Sequence, residues 1–150
     1  MRKAAVVVAH QPINGMRNIL EELRNDIEGI ELIRDWLGEG AVTVPQEQAE
    51  QRAKVCRTGN DGKPCPMNKH AGWWDTVKHE IADVIRAEIE LKNHLELHVP
   101  NENELHLCVC CGCALTLKVW TPTAHIKEHT DVEKFKSAPE WCWIRKELGV

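Results

Sequence analysis

The stretch Leu107-Cys108-Val109-Cys110-Cys111-Gly112-Cys113 holds four of the chain's seven cysteines within six positions. Thiols crowd in this way when an ion binds them. Cys108-x-x-Cys111-Gly112 has the form of a zinc knuckle: two thiolates three residues apart grip one tetrahedral Zn²⁺, and the glycine admits the positive φ that turns backbone amides toward the sulfurs. The flanks Leu105-His106-Leu107 and Ala114 to Val119 alternate apolar residues and predict the two strands of a hairpin around that turn.

Three further thiols lie outside the knuckle. Cys56 and Cys65 are separated by a run of turn formers, Arg57 to Pro64, so the chain doubles back between them. Cys142 follows Pro139-Glu140-Trp141. The simplest assignment is one closed Cys₄ zinc built from Cys56, Cys65, Cys108 and Cys111, contributing folding energy directly and leaving no open position for substrate. Cys111 and Cys113 point roughly the same way in a hairpin, so Cys113 can replace Cys108 or hold a second ion with Cys142. The candidate ligands are therefore Cys56, Cys65, Cys108, Cys111, Cys113 and Cys142, around one zinc ion or two. Cys110 is expected to point away from the knuckle, unligated. His125-x-x-x-His129 satisfies a zinc-finger spacing, but Leu115 stands where the finger's aromatic belongs and Pro122 interrupts its helix, which argues against a DNA-reading finger.

Around this centre the pattern is helical. Apolar residues at Met16, Leu20, Leu23, Ile27, Ile30, Ile33 and Leu37 recur every three or four positions and predict a helix over residues 16–37, stopped by Gly38 and Gly40. A short helix from Val44-Pro45-Gln46 delivers Cys56 at its end. A second long helix is predicted from Trp74, with Val77, Ile81, Val84, Ala87, Leu91 and Leu95 on its packing face, ending before Pro100. A short helical piece is predicted between Ala124 and Phe135. The fold class that follows is α+β, with a long N-terminal helix and a second long helix packed on a small zinc-knuckle hairpin. Residues 1–40 form an arm and helix suited to docking a partner, and residues 41–150 the cysteine-rich module.

Net charge is −4, with acidic and basic residues well mixed, which argues mildly against a general nucleic-acid binder. The apolar run Ala4 to Ala9 stops at His10-Gln11-Pro12, too short for a secretory core or a membrane span. Thiols expected to begin reduced favour metal over disulfides. No phosphate loop or nucleophile elbow occurs, and His79-Glu80 lacks the second histidine of a zinc protease, so nothing nominates a catalytic residue and the expectation is a non-enzyme.

Trp36-Leu37-Gly38-x-Gly40, Val44-Pro45, Ala49-Glu50-x-Arg52-Ala53-x-x-Cys56, Cys65-Pro66-x-Asn68, Cys108-x-x-Cys111-Gly112-Cys113 and Pro139-x-x-Cys142-Trp143 occur in an order that resembles small cysteine-rich proteins of tailed bacteriophages and prophages. The resemblance spans roughly residues 36–145 and implies a viral, metal-binding protein. Two functions are then expected. The first is a zinc-stabilised neck, tail or baseplate component that contacts other virion proteins or copies of itself. The alternative is an accessory factor in the host cytoplasm that binds nucleic acid or a host protein through Lys118, His125, Lys127 and Lys134. No membrane role is expected in either.

Overall fold

The computed structural model describes residues 35–150, Asn60 and Ala71 excepted. Its elements run α1 (Gln46–Thr58), β1 (Asn68–Lys69), α2 (Trp73–Asn93), a 3₁₀ turn (Glu102–Glu104), β2 (Leu107–Cys108), β3 (Cys113–Ala114), α3 (Leu115–Lys118), α4 (Thr123–His129), a second 3₁₀ segment (Val132–Ser137) and α5 (Trp143–Leu148). The class is α+β: helices gathered about an antiparallel sheet of three short strands in the order β1-β2-β3. The strand or arm expected over residues 2–9 and nearly all of the helix expected over residues 16–37 lie outside the described residues, of which 35–38 are helical. Among the described residues no helix is long and apolar enough to cross a membrane.

The hairpin turn forms where it was expected. Gly112 N–H donates to the Cys108 carbonyl at 2.7 Å, and Gly112 sits at a φ of 71° that glycine adopts without strain. Cys108 stands opposite Cys113 and Leu107 opposite Ala114. The returning strand, however, ends at Ala114. Leu115 to Lys118 are all buried and make one helical turn instead. A segment enclosed on every side has no solvated face to enforce a two-residue alternation, so the spacing of Leu115, Leu117 and Val119 does not specify a strand.

The sheet gains a strand that the sequence pattern does not announce. β1 pairs with β2, setting Asn68 opposite Cys108 and Lys69 opposite Leu107. Two polar residues, one buried and one exposed, offer no hydrophobic period to read. Asn68 fixes the join: its side-chain amide donates to the carbonyls of Cys56 (3.1 Å) and Glu104 (3.0 Å), and its oxygen accepts from His106 N–H (2.8 Å). One side chain thus ties the end of α1, the first 3₁₀ turn and the start of β2 together.

The second long helix, α2, exists but turns a different face to the core. Asp75, Ala82 and Ile89, seven residues apart, are buried, while Ile81, Val84 and Leu91 are exposed, Val84 at 71% and Leu91 at 78%. The inward face is tied down by polar groups. Lys78 donates to the Gly112 carbonyl (3.0 Å), His79 reaches the Leu105 carbonyl (2.9 Å), and Arg86 donates to the Leu97 carbonyl (3.0 Å) and pairs with Glu102 (2.5 Å). Hydrophobic spacing selects the wrong face because backbone carbonyls of the adjoining loops call for donors there.

α1 ends at Gly59 (φ 53°), whose N–H donates to the Val55 carbonyl at 2.9 Å. A Cβ at Gly59 would meet the Lys63 carbonyl at 2.7 Å and the Trp141 ring at 2.8 Å, so the loop and the C-terminal tryptophan close on this point. Arg52 of α1 is almost wholly enclosed. Its guanidinium donates to the carbonyls of Val119 (3.0 Å) and Thr121 (2.8 Å) and to both carboxylate oxygens of Glu147 on α5, and it lies 4.3 Å from the centre of the Trp143 ring. One side chain thus joins α1, the segment after α3, and α5. The core also reaches across residue 40: Trp36 is buried, its indole N–H donates to the Val42 carbonyl at 2.8 Å, and Val44 N–H donates to the Trp120 carbonyl at 3.0 Å.

Candidate metal centre

All seven cysteines are free and buried, and they arrive from three parts of the chain. Cys56 comes at the end of α1 and Cys65 from the loop behind it, joined by the hydrogen bond from Cys65 N–H to the Cys56 carbonyl at 2.9 Å. Cys108 to Cys113 come from the hairpin. Cys142 caps the start of α5.

The thiols contact one another pairwise. Cys65 hydrogen-bonds to Cys142, which pulls the Cys142 thiol down to about 6 and pushes Cys65 up, burial adding to the rise. Within the hairpin, Cys110 and Cys111 hydrogen-bond to Cys108 and hold it well below the ordinary thiol range, and Cys113 is lowered by its bond to Cys111. Burial, with the bond to Cys108, raises Cys111. Burial pushes Cys56 up to about 12, the charges of Cys108 and Cys142 adding to the rise, against the indole N–H of Trp143 that reaches its sulfur at 3.2 Å. All six sequence-nominated ligands therefore lie in one buried neighbourhood. Among the described residues, however, no three of the sulfurs lie mutually within 4.8 Å, so holding one ion would require the pairs to draw together.

Cys110 departs from expectation. It is buried, bonded to Cys108, with its sulfur 3.8 Å from the Ser137 hydroxyl, so it belongs to the thiol cluster rather than facing away. The residue that the turn puts outside is Val109, 41% exposed.

The sequence reading assigned Lys118 to a surface patch. It is only 3% exposed. The helical turn α3 folds its side chain back under the hairpin, where Nζ lies 3.3 Å from Cys108 Sγ and 3.3 Å from Cys111 Sγ, and 4.5 Å from the centre of the Phe135 ring. Burial works against the ammonium, but the sulfurs of Cys108, Cys111 and Cys113 outweigh it and hold Lys118 well above its ordinary value. Among the described residues no carboxylate lies within ion-pair reach of it. A lysine lodged in the mostly apolar run Leu115 to Trp120 is the signal that would have found it. With His125 also buried, two of the four residues nominated as a basic patch are not on the surface.

Two further donor groups, neither foreseen as a site, have their ligand atoms mutually within 4.8 Å: Glu39, His125 and His129, and His70, Asp75 and His106. His125 and His129 thus do not form an exposed pair. They face residues 35–39, His125 Nδ1 lying 2.8 Å from Glu39 and His129 Nδ1 3.1 Å from Asp35. The cysteine cluster and these groups have the chemistry to hold a metal ion. No protein family, curated protein or solved structure matches the chain.

Proposed function

We propose that the thiol cluster is a structural zinc centre and that the protein is a zinc-stabilised component or accessory of a bacteriophage, acting through protein–protein contacts. The observation that carries the metal reading is the buried Lys118 ammonium against the sulfurs of Cys108 and Cys111. A buried ammonium is costly unless a negative partner compensates it, and here the partners are sulfurs three residues apart. Of the two, Cys108 is held well below the ordinary thiol range, and a thiolate kept ionised in a protein core is a metal ligand in waiting. Cys56, Cys65, Cys113 and Cys142 supply the remaining positions for one zinc ion, with two ions as the fuller loading. A centre closed by thiolates has no vacancy for substrate, so its work is to hold three chain segments together.

The viral assignment is supported by the motif order of residues 36–145, and the contact function by the exposed apolar stripe of α2. Partners of this kind are other virion proteins or copies of the same chain, in the particle or in the host cytoplasm during infection. Nucleic acid is disfavoured by the burial of Lys118 and His125 and by the acidic balance. Elemental analysis of protein purified without added metal is expected to find one to two zinc ions per chain, about the capacity of six thiolates in tetrahedral sites. Proteomics of purified particles is expected to find the chain among the virion proteins. A metal-free but cooperatively folded protein would end the zinc reading, and a coloured, iron-containing one would replace it with an iron–sulfur centre.

A further inference from the structure

The pairing of β1 with β2 has a consequence one residue beyond the ladder. With Asn68 opposite Cys108 and Lys69 opposite Leu107, the next pair in register is His70 opposite His106. Their rings meet edge to face with centroids 5.3 Å apart. Asp75, in the first turn of α2, projects between them. Its Oδ2 lies 3.5 Å from His70 Nε2 and 3.6 Å from His106 Nδ1. Asp75 is only 5% exposed, yet its other carboxylate oxygen, Oδ1, is buried with no hydrogen-bond partner.

These distances separate two explanations. A histidine bonded directly to a carboxylate sits at about 2.7–2.9 Å, as His125 does to Glu39 at 2.8 Å. Two ligands sharing one tetrahedral ion at metal–ligand lengths of 2.0–2.1 Å stand about 3.3 Å from each other. The His70–Asp75–His106 spacings are long for the first and close to the second. A buried carboxylate oxygen without a partner is itself costly and points to something that would satisfy it. We infer that His70 Nε2, His106 Nδ1 and Asp75 form a second metal site, separate from the thiol cluster, that binds a divalent first-row transition ion and leaves coordination positions open to solvent.

The ligand set decides the class of ion. Two imidazoles and one carboxylate suit zinc, iron(II) or cobalt(II) rather than the all-oxygen cages of calcium and magnesium, and three protein ligands leave room for water or an exogenous group. The site opens into a depression of about 350 Å³ whose rim carries Glu80, Asp83 and Glu102, the last two paired with Arg86. His79 also approaches Asp75 Oδ2 at 3.5 Å, but both its ring nitrogens face carbonyl oxygens, of Asp75 at 2.7 Å and Leu105 at 2.9 Å, so it packs the site without ligating. His70 Nδ1 accepts from Gly72 N–H at 3.2 Å, which leaves the ring proton on Nε2 in the metal-free protein. The ion takes that proton's place, the ring is reprotonated at Nδ1, and the exposed Gly72 amide turns to water.

The test uses the full chain loaded with no more zinc than its thiols bind, desalted and titrated with Co²⁺ alone. The expected result is uptake of one further ion with visible d–d absorption and no thiolate-to-cobalt band in the near ultraviolet. His70→Ala and His106→Ala should each weaken that uptake at least tenfold while leaving thiol-bound zinc unchanged. His70 is 60% exposed at its side chain, so its replacement does not endanger folding, which circular dichroism would verify. Failure of the wild-type chain to take up cobalt would overturn the inference. So would uptake that survives both substitutions, or that is lost instead in His129→Ala.

Discussion

At the scale of single residues, Lys118 and the thiols it touches set the electrostatics of the core. Four thiolates around one zinc ion leave a net charge of about −2, and an enclosed ammonium removes half of it without admitting water. Lys118 also donates to the sulfurs of Cys108 and Cys111, and if these bind zinc, partners of that kind tune metal affinity by roughly 10–100-fold. Lys118→Met keeps the length and the apolar stem while deleting the charge. Without the ammonium, the Cys108 and Cys111 thiolates bind protons more readily, so protons compete better with zinc. On acidification the variant is expected to release zinc at a higher pH than the wild type does, with an affinity at neutral pH lower by the same 10–100-fold order. Zinc release followed with a chromophoric chelator across a pH series measures both, and coincident curves for the two proteins would mean that Lys118 is a spectator. This residue also shows where sequence reasoning reaches its limit. The cysteine spacing announces a tight, thiol-bearing turn from the chain alone, but a lysine's burial depends on the helical turn that carries it, and that turn replaced a predicted strand.

At the scale of elements, how much could be read beforehand depended on where each element's partners lie. The Cys108–Gly112 turn, the start of α1 after Pro45 and the existence of α2 were legible because their signals are local: a glycine at positive φ, a proline ahead of the first turn, a long run without breakers. The strand β1, the face that α2 buries and the convergence of His70, Asp75 and His106 were not, because each is fixed by a distant carbonyl or by cross-strand register. The attachment of α5 is of the second kind. It depends on Arg52 meeting Glu147, 95 positions apart in the chain. Burial alone would push the Glu147 carboxyl up, but the hydrogen bonds from the Arg52 guanidinium and the Thr123 hydroxyl outweigh it and hold the group below its ordinary value. A carboxyl lowered in the folded state contributes stability that is fully present above its unfolded value, near 4.5, and is lost as pH falls through its folded value. Unfolding free energy should therefore decline on acidification below about pH 5. Glu147→Gln should be less stable at neutral pH by about 1 kcal/mol, since the Glu147 side chain is 28% exposed and Arg52 keeps its two carbonyl partners. Its curve should also be flatter over the same acid range, as measured by urea unfolding at a series of pH values. An equal acid slope in both proteins would place the titrating group elsewhere.

At the scale of the whole molecule, the described residues form one core but leave an apolar stripe uncovered. Ile81, Val84 and Leu91 on α2 are largely exposed, and α2 runs 21 residues from Trp73 to Asn93. A stripe of this kind on a stable helix marks a contact surface. The sequence offers a matching one, Met16, Leu20, Leu23, Ile27, Ile30 and Ile33, with the three-and-four spacing of a helix seam. A boundary at residue 40 would cut through the core, because Trp36 is buried and Glu39 and Asp35 meet the α4 histidines. The informative truncation therefore removes residues 1–33 and keeps Trp36. The shortened chain is expected to fold, to retain its thiol-bound metal and to run as a monomer in light scattering, whereas the full chain associates. The double substitution Val84→Lys and Leu91→Lys in the full chain should also abolish association, because a lysine at each position places charge in the seam without touching the core. The two variants together separate the arrangements. If the N-terminal stripe lay on α2 of its own chain, truncation would lay that helix bare and increase self-association, and the lysine pair would destabilise the full-length monomer; contacts between chains give a monomer in both cases.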